Sequence, residues 1–467
     1  MSTMLIIVIL YMGAMLGIGY WVGKHYISDM TDYLLAGRRL GLFMCTATIA
    51  ATQFGGGAVL GGAEMGYLHG WSALWWAVAG GTGLIVVAFT TAYKFRDLSL
   101  YTVTEYLEHR YGGKTIRLLA SLLSAIALTG ILAAMVVAGR SALEILGITG
   151  NTGAVLAALV FTVYTTMGGL WAATVTDAVQ LVVAGIGVIY VAILVIGKTG
   201  GIGGISAGLV AKGISSSYFT IGGLGFARSM WLLVPTVMYC LIGQDFYQRL
   251  LAAKDAKTAK TSMALAGVIH IALSLLPMIT GIAVRSLTDL ENAASAFPWA
   301  VQTLMNPFFA GVMLAALLAA IMSTADSMLT SIASHIVKDI WIPLFQLDEV
   351  EHEKRLLNIG RNVTFAAGII SLVIAMIVPK VVDILIYSYT MYTGGVLIPV
   401  IGGLVWKSAT RSGALASLII GSAVSLWGIL SQTDILGAPA ELYGAVVSLV
   451  VFIVISLATQ KEPGRSS

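Results

Sequence analysis

The segment Ala319-Ala320-Ile321-Met322-Ser323-Thr324-Ala325-Asp326-Ser327 sets hydroxyls and a carboxylate inside an otherwise apolar stretch. Ala320, Ser323, Thr324 and Ser327 follow i, i+3, i+4, i+7 spacing, so a helix presents them on one face. Oxygen donors on one helical face within a bilayer suit a small hard cation. By themselves the hydroxyls can also bond back to carbonyls one turn earlier, as they do in many membrane helices.

A second segment changes that balance. Ala51-Thr52-Gln53-Phe54-Gly55-Gly56-Gly57 places consecutive glycines in the middle of an apolar run, where they unwind or kink a helix. Unwound backbone at membrane depth must line a cavity or bind something. Freed carbonyls there can coordinate a cation, and adjacent side chains can face a solute. Gly57 and Gly61 also have the spacing by which membrane helices pack closely. A glycine run alone reads as packing; beside a hydroxyl-bearing helix, cation binding is preferred.

The elements that must position these groups are membrane helices. The chain is 58% hydrophobic and 10% charged, against roughly 25% charged in a soluble domain. It therefore reads as an all-α polytopic membrane protein. Its basic residues lie in loops rather than on one polar face, which excludes nucleic acid as a partner. Cys45 and Cys240 fall in predicted spans as small buried residues, with no disulfide framework or metal spacing. The apolar run after Met1-Ser2-Thr3 has no basic n-region or cleavage site before it and reads as a retained span.

Apolar runs lie near 4–22, 40–66, 71–93, 116–146, 151–167, 170–197, 227–248, 261–284, 299–336, 358–378, 382–405, 412–430 and 440–459, about 13 transmembrane helices in one domain covering 1–467. Basic residues collect on one side: Lys24, Arg38, Arg39, Lys94, Arg96, Arg110, Lys114, Arg117, Arg249, Lys254, Lys257, Lys260, Lys338, Lys354, Arg355, Arg361, Lys407, Arg411, Lys461 and Arg465. Lys198, Lys212, Arg285 and Lys380 fall on the other. The positive-inside rule then puts the N-terminus outside and the C-terminus in the cytoplasm, in a cell inner (plasma) membrane. A Gly- and Ser-rich segment at 198–226 reads as an outer loop with a short helix.

Gly37-Arg38-Arg39, Thr166-Met167-Gly168-Gly169-Leu170-Trp171 leading to Thr176-Asp177 and Gln180, Gln244-Asp245-Phe246-Tyr247-Gln248-Arg249, and Ser323-Thr324-Ala325-Asp326-Ser327 together resemble the sodium:solute symporter family over nearly the whole chain. The resemblance implies a LeuT-type fold with a 5+5 inverted repeat: an extra N-terminal helix at 4–22, a first repeat at 40–197, an inverted second repeat at 227–405 and two C-terminal helices at 412–459. It carries the sodium-binding carbonyls onto Ala51, Phe54 and Ala320 and the hydroxyls onto Ser323 and Thr324. Oxygens without a carboxylate hold a monovalent cation weakly, which suits release on each cycle. The resemblance also marks Asp177, Asp326 and Ser327 as a candidate second cation or proton site. Asp326 stands where one such arrangement has serine, which leaves a structural hydrogen bond as the other reading.

Thr52, Gln53, Gly55, Gly56, Thr129 and Gln244 are the candidate solute-binding residues, with Tyr247 on weaker grounds. Gly55 through Trp75 is similar to the choline branch of the family, but Gln53 aligns with that branch's cage tryptophan and no replacement is evident near Thr129 or Gln244. The site is accordingly expected to hydrogen-bond a small polar organic solute such as an amino acid, carboxylate or sugar. Trp71, Trp75 and Trp76 can flank a solute cavity, although an interfacial belt is the preferred reading; Arg140 reads as a snorkelling residue and Glu64 as a packing or gating group. The expected function is sodium-coupled symport by alternating access, working as a monomer, with Na+ as the only cofactor. Proton coupling through Asp177 or Asp326 is the nearest alternative, and a transporter-like sensor is a further one. Without a catalytic constellation, no enzyme is expected.

Overall fold

The computed structural model describes residues 3–377, 381–432, 435 and 437–460, with side chains omitted for 381–388. Lys380, Lys461 and Arg465, which entered the orientation argument, lie outside the described residues. The described chain is helical, with only isolated β-bridges such as the parallel one between Leu40 and Ala253.

The principal helices are α1 (Thr3–His25), α2 (Leu42–Gln53), α3 (Gly62–His69), α4 (Leu74–Thr90), α5 (Lys114–Glu144), α6 (Asn151–Lys198), α7 (Phe226–Cys240), α8 (Gln244–Ala252), α9 (Ala256–Leu287), α10 (Pro307–Ser334), α11 (Glu353–Ile377), α12 (Val381–Val405), α13 (Arg411–Leu430) and α14 (Ala440–Thr459). Among the described residues, 9 helices are long and apolar enough to cross a membrane, or up to 10 if α7 and α8, bent by 46°, form one broken span. This is fewer than the thirteen expected, partly because the 57–90 and 151–198 stretches each count once.

Local chemistry sets the boundaries. α6 contains a break at Gly169 (φ 49°, ψ −143°), where a Cβ would run into the Tyr33 carbonyl; only glycine fits such a backbone. The expected single span at 299–336 is divided. Met305 is extended, Asn306 caps α10 through Phe308 N and Phe309 N (both 3.1 Å), and Pro307 takes the first turn. The residue before a proline, here the extended Asn306, resists helix, and Pro at the first position starts one. The 198–226 segment does carry a helix, Gly201–Ala211.

Every residue of α10 from Met313 to Ser334 is buried, so α10 is the central helix of the bundle. α2 packs among α6, α8, α9 and α10, while α12, α13 and α14 form a group at one side. Large apolar side chains such as Ile186, Ile193, Val446 and Val454 are exposed, as a lipid-facing surface requires.

Several of the basic residues assigned to one side interlock there. Arg96 Nε donates to the Ala253 carbonyl (2.6 Å), Arg110 Nε to the Gly403 carbonyl (2.9 Å), and Arg117 pairs with Asp339 (2.7 Å) and Glu108 (2.9 Å). At the other end Lys212 donates to the Arg285 carbonyl (3.0 Å) and Arg285 pairs with Asp289 (2.8 Å). Arg249 is the exception. It is fully buried in the bundle, not in a loop, because two carboxylates inside the protein hold its guanidinium.

Candidate cation and solute site

α2 ends at Gln53, and Phe54 (φ −88°, ψ 56°) leaves helical geometry before a π-turn at Gly57–Gly61 leads into α3. Ala58 N, which a continuous helix would direct at the Phe54 carbonyl, instead donates to the Gly55 carbonyl (3.0 Å). The Ala51, Thr52 and Phe54 carbonyls are thus at the open end of a helix inside the bundle.

The glycines divide the work. A Cβ at Gly55 would overlap the Thr324 hydroxyl and lie 3.1 Å from Thr324 Cβ; one at Gly56 would lie 2.9 Å from Ile321 Cγ1. These two let the broken helix approach α10. A Cβ at Gly57 would meet nothing within 4 Å, so the proposed Gly57 and Gly61 packing spacing does not describe this contact.

That approach brings together Ala51, Ala320, Ser323 and Thr324. Ser323 Oγ lies 3.0 Å from both the Ala51 and Ala320 carbonyl oxygens. Thr324 Oγ1 lies 3.0 Å from the Thr52 carbonyl and 3.4 Å from that of Ala320. Each hydroxyl has one proton and faces two acceptors. The junction is therefore rich in lone pairs and poor in positive charge, which is the donor chemistry a hard cation needs.

One helical turn away lies a second polar centre. Arg249 NH2 sits 3.5 Å from both Asp177 Oδ2 and Asp326 Oδ1, with all three side chains fully buried. Thr48 Oγ1 donates to Asp177 Oδ2 and accepts from Arg249 Nε (2.9 Å). Tyr164 OH donates to Asp326 Oδ2 (2.8 Å), while Ser327 Oγ lies 2.8 Å from Thr52 Oγ1 and 3.4 Å from Asp326 Oδ1. Asp177 Oδ1 has no partner among the described residues. The structure thus gathers Asp177, Asp326 and Ser327 around an arginine.

A cavity of about 230 Å³ opens beside the break, with Thr52, Gln53, Gly55 and Gly57 in its wall. Three other solute candidates lie elsewhere. Gly56 packs on Ile321. Thr129 Oγ1 bonds back to the Ala125 carbonyl (2.7 Å), as an apolar-helix hydroxyl does. Gln244 is held by Val103 N (2.9 Å) and the Tyr101 carbonyl (3.0 Å), and so ties α8 to the helix Val103–Tyr111. Tyr247 is spent on Thr91 Oγ1 (2.6 Å) and the Leu241 carbonyl (2.9 Å).

The remaining polar wall comes from Thr324 of the sodium junction, from Asp245 of the 244–249 block, and from Thr236, Tyr239, His270 and Ser274, which the sequence reading passed over. Trp76 lines the cavity, joined by Phe246 and Tyr389. His270 Nε2 meets Ser274 Oγ (3.1 Å), and its buried Nδ1 has no partner among the described residues. The available signal was a histidine and a serine four residues apart in an apolar span, a pairing that polar groups in membranes make informative.

The Sodium:solute symporter family model matches residues 33–421. The chain is 28% identical to the sodium/glucose cotransporter of Vibrio parahaemolyticus, over 96% of this chain and 89% of that protein. It is 27% identical to the sodium/pantothenate symporter of Escherichia coli (91% and 90% covered) and 26% identical to the sodium/proline symporter of Haemophilus influenzae (97% and 94% covered). Among solved structures, a substrate-bound outward-open Na+-coupled sialic acid symporter matches with a TM-score of 0.83 at 20% identity, covering 98% of each chain. A nucleobase-cation-symport-1 family transporter in a closed conformation matches with a TM-score of 0.59 at 14% identity, over 93% of this chain and 96% of that one. These two likenesses are of fold.

Proposed function

The chain belongs to the sodium:solute symporter family, and on that premise we propose that it imports a small organic solute by alternating access, driven by sodium bound at Ala51, Phe54, Ala320, Ser323 and Thr324. It is a multi-pass plasma-membrane transporter, not an enzyme. The observation that carries the binding proposal is the junction of α2 and α10, where hydroxyls and carbonyls converge with too few protons for the acceptors present.

Sodium bound there ties the broken helix to α10 and favours the state in which the cavity beside it is complete. Inward movement of one charge down the membrane potential supplies about 2.3 kcal/mol per 100 mV before any concentration term. The site has no carboxylate of its own, so binding is weak enough to reverse in the cytoplasm. Thr52 lies between the sodium junction and the cavity, its carbonyl on one and its residue in the wall of the other, which gives a short path for coupling.

Two features support the repeat boundaries of 40–197 and 227–405. The first core helix breaks at Phe54, and its proposed counterpart breaks between α7 and α8 with a 46° bend. The segregation of basic residues supports a cytoplasmic C-terminus. Asp177, Asp326 and Ser327 form the proposed second site: two buried carboxylates share one guanidinium, leaving a formal charge of −1 when both are ionised, which a proton or second cation neutralises. The test of symport is uptake by purified protein in proteoliposomes with and without an inward sodium gradient, across radiolabelled amino acids, carboxylates and sugars. Concentrative uptake that needs the gradient is expected; gradient-independent equilibration would make the protein a passive pathway.

A further inference from the structure

Asp245 stands in the cavity wall, 2% exposed, with Tyr239 OH donating to its Oδ1 at 3.0 Å. Among the described residues no lysine or arginine lines that cavity. Arg249, one turn further along α8, donates to the Asp245 backbone carbonyl (3.1 Å) but directs its guanidinium at Asp177 and Asp326. A carboxylate in a membrane cavity without a cationic partner is costly. The rings around it belong to Trp76, Tyr239, Phe246 and Tyr389. Tyr239 meets Phe246 edge-on at 6.2 Å between centroids and Tyr389 at 6.1 Å. Aromatic faces and a carboxylate converging on one space are the chemistry that recognises an organic cation. Gln53 replaces the cage tryptophan of the choline branch, but rings reach this space from α4, α7, α8 and α12, Phe246 lying two residues beyond Gln244.

We propose that the transported solute carries a positively charged amino or ammonium group, seated between the Asp245 carboxylate and these rings. Gln53, His270 and Ser274 supply hydrogen-bonding groups for the remainder of the molecule. The cavity volume of about 230 Å³ is below the ~300–1,000 Å³ of drug-sized pockets, which suits a small solute. This deepens the symport reading and rests on it.

The test measures equilibrium binding to the purified protein in sodium, using choline, ethanolamine, L-proline, glucose and pantothenate as probes, with Asp245→Asn beside the native protein. Binding confined to the amine- or ammonium-bearing probes, and weakened at least tenfold by Asp245→Asn, is expected. The stability gained from sodium alone should be unchanged in that variant, which separates this proposal from the sodium site. Binding of glucose or pantothenate that is indifferent to Asp245→Asn would overturn it, as would an effect of the variant on sodium affinity alone. A reporter independent of any probe is Thr236→Cys, in the cavity wall, with Cys45 and Cys240 replaced by alanine. Its reaction with a cationic methanethiosulfonate should exceed that with an anionic one by at least tenfold, and Asp245→Asn should abolish the preference. Equal rates with Asp245 present would overturn the proposal even if no probe bound.

Discussion

The backbone of Gly55 rests against Thr324: a Cβ on Gly55 would overlap the threonine hydroxyl and stand 3.1 Å from its Cβ. The contact joins the break in α2 to the hydroxyl face of α10, so the glycine and the threonine specify one junction from two distant parts of the chain. Gly55→Ala should therefore displace Thr324 and weaken apparent sodium affinity at least tenfold, about 1.4 kcal/mol. Gly57→Ala, with open space around it, should leave sodium affinity within about twofold. Sodium titration of uptake in both variants checks this; equal effects would show that the close approach at position 55 is not required.

Removing Arg249 should be far more damaging than removing a loop arginine. Its loss leaves Asp177 and Asp326 buried without a cation, and breaking a buried pair in this way costs about 3–5 kcal/mol. Arg249→Met should lower thermal stability in detergent sharply, and adding Asp177→Asn and Asp326→Asn should recover most of the loss. If Arg249→Met is as stable as the native protein, the guanidinium is not balancing those carboxylates.

The arrangement of basic residues predicts the topology directly. Ser408 and Asn292 are both exposed and lie in loops at opposite ends of the bundle. With Cys45 and Cys240 replaced by alanine, an impermeant maleimide should label Asn292→Cys in intact cells. Ser408→Cys should react only after permeabilisation. The reverse pattern would invert the proposed orientation.

The bundle was legible where glycine, proline and hydroxyl residues have local consequences. Gly169 divides two expected spans, the 55–57 glycines mark the break, and Ser323 and Thr324 sit on the face their spacing requires. What the sequence left open depends on contacts across the fold. Arg249 follows an apolar span in sequence, as a loop cation does, and only the convergence of α6, α8 and α10 reveals it as buried. The cavity was harder still. Trp76, Tyr239, His270 and Tyr389 come from separate helices, and each alone reads as belt or packing. Thr129 and Gln244 have polar side chains in suggestive places, yet their hydrogen bonds go to backbone groups, which no local pattern discloses.

The account turns on sodium binding between α2 and α10, and equilibrium binding of radioactive sodium to the purified protein tests it most directly. Ser323→Ala/Thr324→Ala should weaken binding at least tenfold. Ser331→Ala, which removes a hydroxyl of the same helix that donates to Gln248 Oε1 at 2.9 Å, should retain native affinity. Undiminished binding in the double variant would contradict the assignment of the site.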